Sequence, residues 1–224
     1  EELRAVQEVL VRAGALAPSG TGPARGYDLL ELGEVAGAVR ARNELWIAAA
    51  VLQIDAAQQP AGGAIEAAAG EGAGTGGKPL PRLSPAQLAA VLGGLITNET
   101  VDRGTMWSAY EPSLAVEECL ANLEPTREAL QDLQGSVWPP VEAPLRVDTR
   151  LAGLVEAWAS GVAWDQVVRD SSIDEGDMAR LLLRTADVLR QVATSLPHVS
   201  ALTQHCARDA LKSVDRAPIS ELVQ

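Results

Sequence analysis

Residues Trp158 to Gln191 read WASGVAWDQVVRDSSIDEGDMARLLLRTADVLRQ, and this stretch decides the fold. Within and just beyond it, Met178, Leu181, Leu182, Thr185, Leu189, Val192 and Leu196 recur at the i, i+3, i+4, i+7 spacing that gathers them on one side of a helix. Asp174 stands where the first turn needs a side-chain oxygen for its unpaired N–H groups, and Pro197 cannot continue the helix. The spacing therefore predicts the longest helix of the chain, capped by Asp174. Arg180 and Arg184 lie one turn apart on a face other than the apolar stripe. Before this helix, Leu151 to Trp158 reads as a helix stopped by Gly161, and Trp164 to Arg169 as a short one.

A helix with one apolar side needs others to bury it, and the rest of the chain supplies them. Glu1 to Ala13 predicts a helix with Leu3, Val6, Val9 and Leu10 on one face. Gly14 ends it, PSGTGPARG reads as a loop, and Tyr27 to Arg40 holds a second helical stretch around Leu32, Val35 and Val39. Asn43 is an N-cap for an apolar run through Leu52. Ser84-Pro85-Ala86-Gln87 combines Ser at the cap, Pro in the first turn and Gln at the third position, a clear helix start. Leu88, Val91, Leu92 and Leu95 form its stripe, and Asn98 to Ala109 reads as a polar loop. Pro112 is expected to start another helix, with Leu114, Val116, Leu120, Leu123 and Leu130 along it and a kink or division at Pro125. Trp138-Pro139-Pro140 and Pro144 imply an extended connector, and a last helix covers about Val199 to Val214. No strand longer than about four residues is needed, and an all-α helical bundle with a long central helix follows.

Residues 56–82, AAQQPAGGAIEAAAGEGAGTGGKPLPR, break this pattern. They hold few large apolar groups to offset the entropy of ordering, so the composition predicts a disordered surface insertion. Its glycines form no phosphate loop, because Gly77-Lys78 is followed by Pro79.

Composition bounds what such a bundle can do. The chain has 224 residues, 47% of them hydrophobic and 3% aromatic, with no Phe, so its core must rest on Leu, Val and Ala. Trp46, Trp158 and Trp164 are expected as core anchors. The formal net charge of −12 excludes a protein that holds nucleic acid by overall charge. Cys119 and Cys206 give no disulfide framework and read as buried thiols. His198, His205 and Cys206 lack zinc-ligand spacing, so no metal site is expected. No run of about 18 apolar residues predicts a membrane helix. The first residue is Glu, and a piece of a longer chain is expected.

Four motifs in order carry a resemblance: Leu32-Gly33-Glu34-Val35-Ala36 with Asn43-Glu44-Leu45-Trp46; Leu83-Ser84-Pro85-Ala86-Gln87-Leu88-Ala89-Ala90; Trp158-Ala159 with Gly161; and Asp174-Glu175-Gly176-Asp177 with Arg180 and Arg184-Thr185. Together they resemble the C-terminal helical (DSHCT) domain of DExH-box RNA helicases. GEVAGAVRARNELWIA, LVEAWASGVAWDQV and the ending DRAPISEL look like the plant and algal plastid branch and its cyanobacterial relatives. The resemblance implies that residues 1–30 are the tail of a preceding winged-helix region and 31–224 the helical bundle. It implies an ATPase motor of two RecA-like domains upstream in the same chain, where ATP and Mg belong, with no cofactor in this part. It implies single-stranded RNA as partner, touched by Arg180 and Arg184 on a ratchet helix and, more weakly, by Glu99. It implies a chloroplast location, with nucleus or cytoplasm as the alternatives.

The residues unaided allow a plainer account. Arg180 can pair with Asp177 or Glu175, and Arg184 with Asp187, as exposed helix pairs do at small gain. The rival function is an acidic helical scaffold that docks proteins without touching RNA.

Overall fold

The computed structural model describes residues 2–19, 26–59, 81–96, 109–140, 145–194 and 196–221. It is an all-α bundle with one small hairpin. In chain order the elements are α1 (Glu2–Arg12), β1 (Leu16–Ser19), β2 (Gly26–Leu29), α2 (Glu31–Ala38), α3 (Glu44–Gln58), α4 (Pro85–Leu95), α5 (Leu114–Ser136), α6 (Thr149–Ala159), α7 (Trp164–Ser171), α8 (Glu175–Thr194) and α9 (Ala201–Val214). A short 3-10 turn, Ile219–Glu221, follows.

The predicted caps form as read. Asn43 Oδ1 accepts from Trp46 N at 3.0 Å. Ser84 and Gln87 make a reciprocal capping box with Pro85 in the first turn. Asp174 Oδ1 accepts from Gly176 N at 2.9 Å and Asp177 N at 3.3 Å, which starts α8. Met178, Leu181, Leu182 and Leu189 are fully buried. Thr185 fits the same stripe because its hydroxyl donates to Leu181 O at 2.8 Å and so carries no unmet polar group inward.

The element at the centre is α4 rather than α8. Every residue from Leu88 to Leu95 is buried, and α4 packs on α5, α6, α8 and α9. Small residues permit this. A Cβ on Gly93 would come within 2.7 Å of Val155 Cγ2, and one on Gly153 of α6 within 2.2 Å of Tyr110 O. The longest helix among the described residues is α5, with 23 residues against 20 in α8. The sequence reading allowed a division at Pro125, but the helix runs through it. Pro125 and Ala121, whose carbonyl loses its donor, are both exposed, so solvent can replace the missing bond.

The N-terminal region departs from the reading in three respects. Leu16–Ser19 and Gly26–Leu29 pair antiparallel, with Leu16 opposite Leu29 and Ser19 opposite Gly26, so Tyr27 to Leu29 are strand and α2 begins only at Glu31. Gly14, at φ 74°, makes the turn into this hairpin. Finally, α1 buries Ala5 and Val9 and leaves Leu3 71% exposed, because it packs mainly on β1 and α5.

Most of the expected 56–82 insertion, residues 60–80, lies outside the described residues. Its first residues do not belong to it: Ala56, Ala57 and the buried Gln58 complete α3. Asp55, one turn before the end of that helix, is 3% exposed and ties it to α9 by accepting from Ser200 N at 3.1 Å and Ser200 Oγ at 2.5 Å. Trp46 and Trp158 are core residues as expected, and half-buried Trp164 stacks edge-on against Trp158 with ring centroids 5.7 Å apart.

Candidate nucleic-acid interface

α8 buries one side and shows the other. Arg180 and Arg184 are both exposed, separated by four residues or about 6 Å of helical rise. An Arg180 guanidinium nitrogen, Nη2, bonds Asp177 Oδ1, one of the two pairings the sequence allowed, and the Arg180 side chain remains 51% exposed. Asp187, which the sequence offered to Arg184, bonds Arg190 Nη1 at 2.6 Å.

Arg184 also lines a cavity of about 390 Å³ between α8, the turn joining α2 to α3, and the C-terminal end of α4. Arg40, Arg42 and Asn43 come from the turn, Trp46 from α3 and Ile96 from the end of α4. The turn is fastened to α8. Arg40 N donates to Gln191 Oε1 at 2.6 Å, and Gln191 Nε2 donates back to Arg40 O at 3.5 Å. Asn43 then closes the turn by capping α3.

The structure thus brings Arg184 into a concave basic site and leaves Arg180 one turn away on the same helix, outside the lining. Glu99 lies outside the described residues; Ile96, three positions before it, is in the cavity wall. The sequence reading missed Arg40 and Arg42. Their signal was present, as two guanidinium groups in three residues directly before an N-cap of an acidic chain. Nothing local, however, places them beside a helix 151 positions further along the chain.

The chemistry available here is recognition. Guanidinium groups donate in a planar fork that fits phosphate oxygens. Elsewhere, burial pushes the Cys119 thiol up to about 12, which keeps it protonated and unreactive at neutral pH. Among the described residues no group of three or more His, Cys, Asp or Glu side chains is placed to hold a metal ion, and no helix is long and apolar enough to cross a membrane.

Residues 78–221 of this helical bundle match the DSHCT (NUC185) domain family, and the chain belongs to it. Among individual proteins, it is similar to the DExH-box ATP-dependent RNA helicase DExH15 chloroplastic of Arabidopsis thaliana, with 35% identity over 198 residues. That match covers 87% of this chain and 14% of the relative, so the chain spans a small part of the relative's length.

Proposed function

We propose that this chain is the C-terminal RNA-channel module of an ATP-dependent DExH-box RNA helicase. In this reading α8 is the ratchet helix. Arg180 and Arg184 meet single-stranded RNA on its exposed face, and Glu99 approaches the same strand. ATP and Mg act in RecA-like domains upstream in the parent chain, and the bundle couples RNA movement to them. Residues 1–30, a helix followed by a two-stranded hairpin, form the tail of a winged-helix region, with the bundle proper over 31–224. The name of the Arabidopsis relative supports a chloroplast location.

The observation that carries this reading is the division of α8. Its apolar stripe is buried, while the two arginines are held at the surface, with Arg184 in a basic cavity. The net charge of −12 favours the rival, an acidic protein-docking scaffold. Photo-crosslinking separates the two. In the parent helicase, a 4-thiouridine-substituted single strand should crosslink to peptides from residues 178–190. Crosslinks confined to other domains, with none on α8, would refute the RNA-channel role.

A further inference from the structure

We propose that Asp177 is a positioning residue for Arg180: it ties one edge of the guanidinium group so that the flat face meets a nucleobase of the strand, a role that rests on the reading that α8 meets RNA.

The geometry comes from spacing on one helix. Helical side chains lean toward the N-terminus, so an arginine reaches back over the residues three and four positions before it. Three before Arg180 is Asp177, whose Oδ1 accepts from Arg180 Nη2. Four before it is Gly176, which has no side chain to lift the group away. A Cβ there would stand 3.6 Å from Arg180 Nη1 and 3.9 Å from Nη2, so both nitrogens lie over the first turn of α8. The Arg180 side chain is nevertheless 51% exposed, and among the described residues Asp177 is its partner.

Asp177 suits the task because it does not move with the arginine. It is 9% exposed, and its own backbone N–H donates to Asp174 Oδ1 at 3.3 Å. A carboxylate so buried is costly without a charged donor. An untethered arginine carries rotamer entropy that binding must remove. The pairing answers both before a strand arrives.

Charge decides what Arg180 meets. Asp174, Glu175 and Asp177 set three carboxylates in the two turns before this one guanidinium. The helix N-terminus returns only about half a positive charge against them. This end of α8 therefore draws a phosphate poorly. A guanidinium plane tied at one edge still stacks on the face of a base, a contact that depends little on net charge.

The test measures binding of a fluorescein-labelled oligouridine, U12, to this chain by anisotropy over a salt series starting near 50 mM. A strand of the same length with abasic sugars is measured beside it. Arg180→Ala should weaken U12 about five-fold or more, the low end of one lost base stack, and leave the abasic strand unaffected. It should also leave the slope of log K against log salt unchanged. Asp177→Ala removes a negative charge, which by itself would tighten binding of an anion. As the holder of Arg180 it should instead weaken U12, and this loss should vanish when Arg180 is already alanine. Asp177→Asn keeps an acceptor oxygen and should fall between Asp177→Ala and wild type; it carries the same sign test if alanine at 177 unfolds the chain by circular dichroism. Equal or tighter U12 binding in the folded Asp177 variants, with Arg180→Ala weakened, would overturn the positioning role and keep the α8 reading. An Asp177→Ala loss that persists undiminished in the Arg180→Ala background would also overturn it, making Asp177 a structural residue only. A slope smaller by about 0.7 in Arg180→Ala would make the contact a phosphate and overturn the stacking. Wild-type affinity in Arg180→Ala/Arg184→Ala, or failure of the wild-type chain to bind U12, would overturn the α8 reading and the positioning role together.

Discussion

The guanidinium carbon of Arg216 lies 3.4 Å from the centroid of the Trp158 ring. The same side chain donates to Trp158 O at 2.7 Å and Val162 O at 2.5 Å, and the indole N–H of Trp158 donates to Val214 O at 2.9 Å. The buried centre of α6 and the tail after α9 are thus joined in both directions. Cation–π contact by a half-buried arginine contributes about 0.5–2 kcal/mol, and hydrogen bonds from a charged donor about 1.5–3 kcal/mol. Arg216→Ala is therefore expected to lower unfolding free energy by about 2–4 kcal/mol, read as a fall in urea midpoint at constant slope. Arg216→Lys should recover less than half of that fall, since one ammonium cannot cover the ring and both carbonyls. Equal stability of all three proteins would show the tail to be an appendage.

The close approach of α6 to the segment before α5 sets a second expectation. Gly153→Ala forces a Cβ to within 2.2 Å of Tyr110 O, a backbone atom that cannot swing away. Overpacking of this kind destabilises by about 1–3 kcal/mol or more. Gly135→Ala, in α5, meets nothing within 4 Å and is the matched control. It should be neutral or stabilising by about 0.5 kcal/mol through helix propensity alone. Thermal melts of the two variants should move in opposite directions, or at least by very different amounts.

Cys119 gives a pH signature. Burial raises its thiol to about 12, while in the unfolded chain it ionises near the ordinary 9. The group holds its proton longer when folded, so its contribution is fully present below pH 9. That contribution disappears as pH rises from 9 toward 12, where only the unfolded form gives up the proton. Stability should decline across that window, and Cys119→Ala or Cys119→Ser should flatten the decline. Native Cys119 should also resist alkylation at pH 8 and react once urea unfolds the chain.

What the sequence made legible follows from range. Asn43, Ser84 and Asp174 act on N–H groups two or three residues away, so their spacing alone identified three helix starts. The stripe of α8 was equally local. The hairpin was not: LAPS shows no alternation of apolar and polar residues, the alternation in GYDL is only three residues long, and each strand exists only because the other pairs with it. Pro125 left kink and division both open in the sequence, and division is excluded because the exposed turn lets the helix run through it. The candidate site was half legible. Helical spacing put Arg180 and Arg184 on one face and the resemblance alone made them candidate RNA contacts, whereas the Arg40–Gln191 pairing joins distant parts of the chain and has no sequence signature.

Residues 60–80 bear on the boundary of the insertion. Replacing them with a short Gly/Ser linker, while keeping Ala56 to Gln58 and Pro81 onward, should leave the thermal midpoint within a few degrees, because loop length enters closure entropy only logarithmically. Extending the deletion back to Ala56 should be costly. It removes the last turn of α3, including buried Gln58, next to the Asp55–Ser200 tie. Equal melting of the two deletions would mean that this last turn contributes nothing to the bundle.

Arg180 and Arg184 carry the decisive expectation. The Arg180 side chain is 51% exposed and that of its partner Asp177 12%, so the pair sits at the edge of the buried face and its loss should cost about 1–3 kcal/mol at most. The Arg180→Ala/Arg184→Ala variant should therefore fold normally, because the buried stripe of Met178, Leu181, Leu182 and Leu189 is untouched. In the proposed parent helicase it should keep its basal ATPase, since the proposed motor lies in other domains. Each arginine that stacks on a base or holds a phosphate should cost RNA affinity about 1–3 kcal/mol when removed, and unwinding should fall with it. Arg180→Lys/Arg184→Lys distinguishes charge from geometry. A lysine still meets a phosphate as a point charge but has no planar fork to stack on a base, so partial rescue marks phosphate binding and no rescue marks stacking. A variant that melts several degrees lower and binds RNA like the wild type would make the arginines structural partners of the α8 carboxylates, and the RNA-facing role of this helix would be wrong.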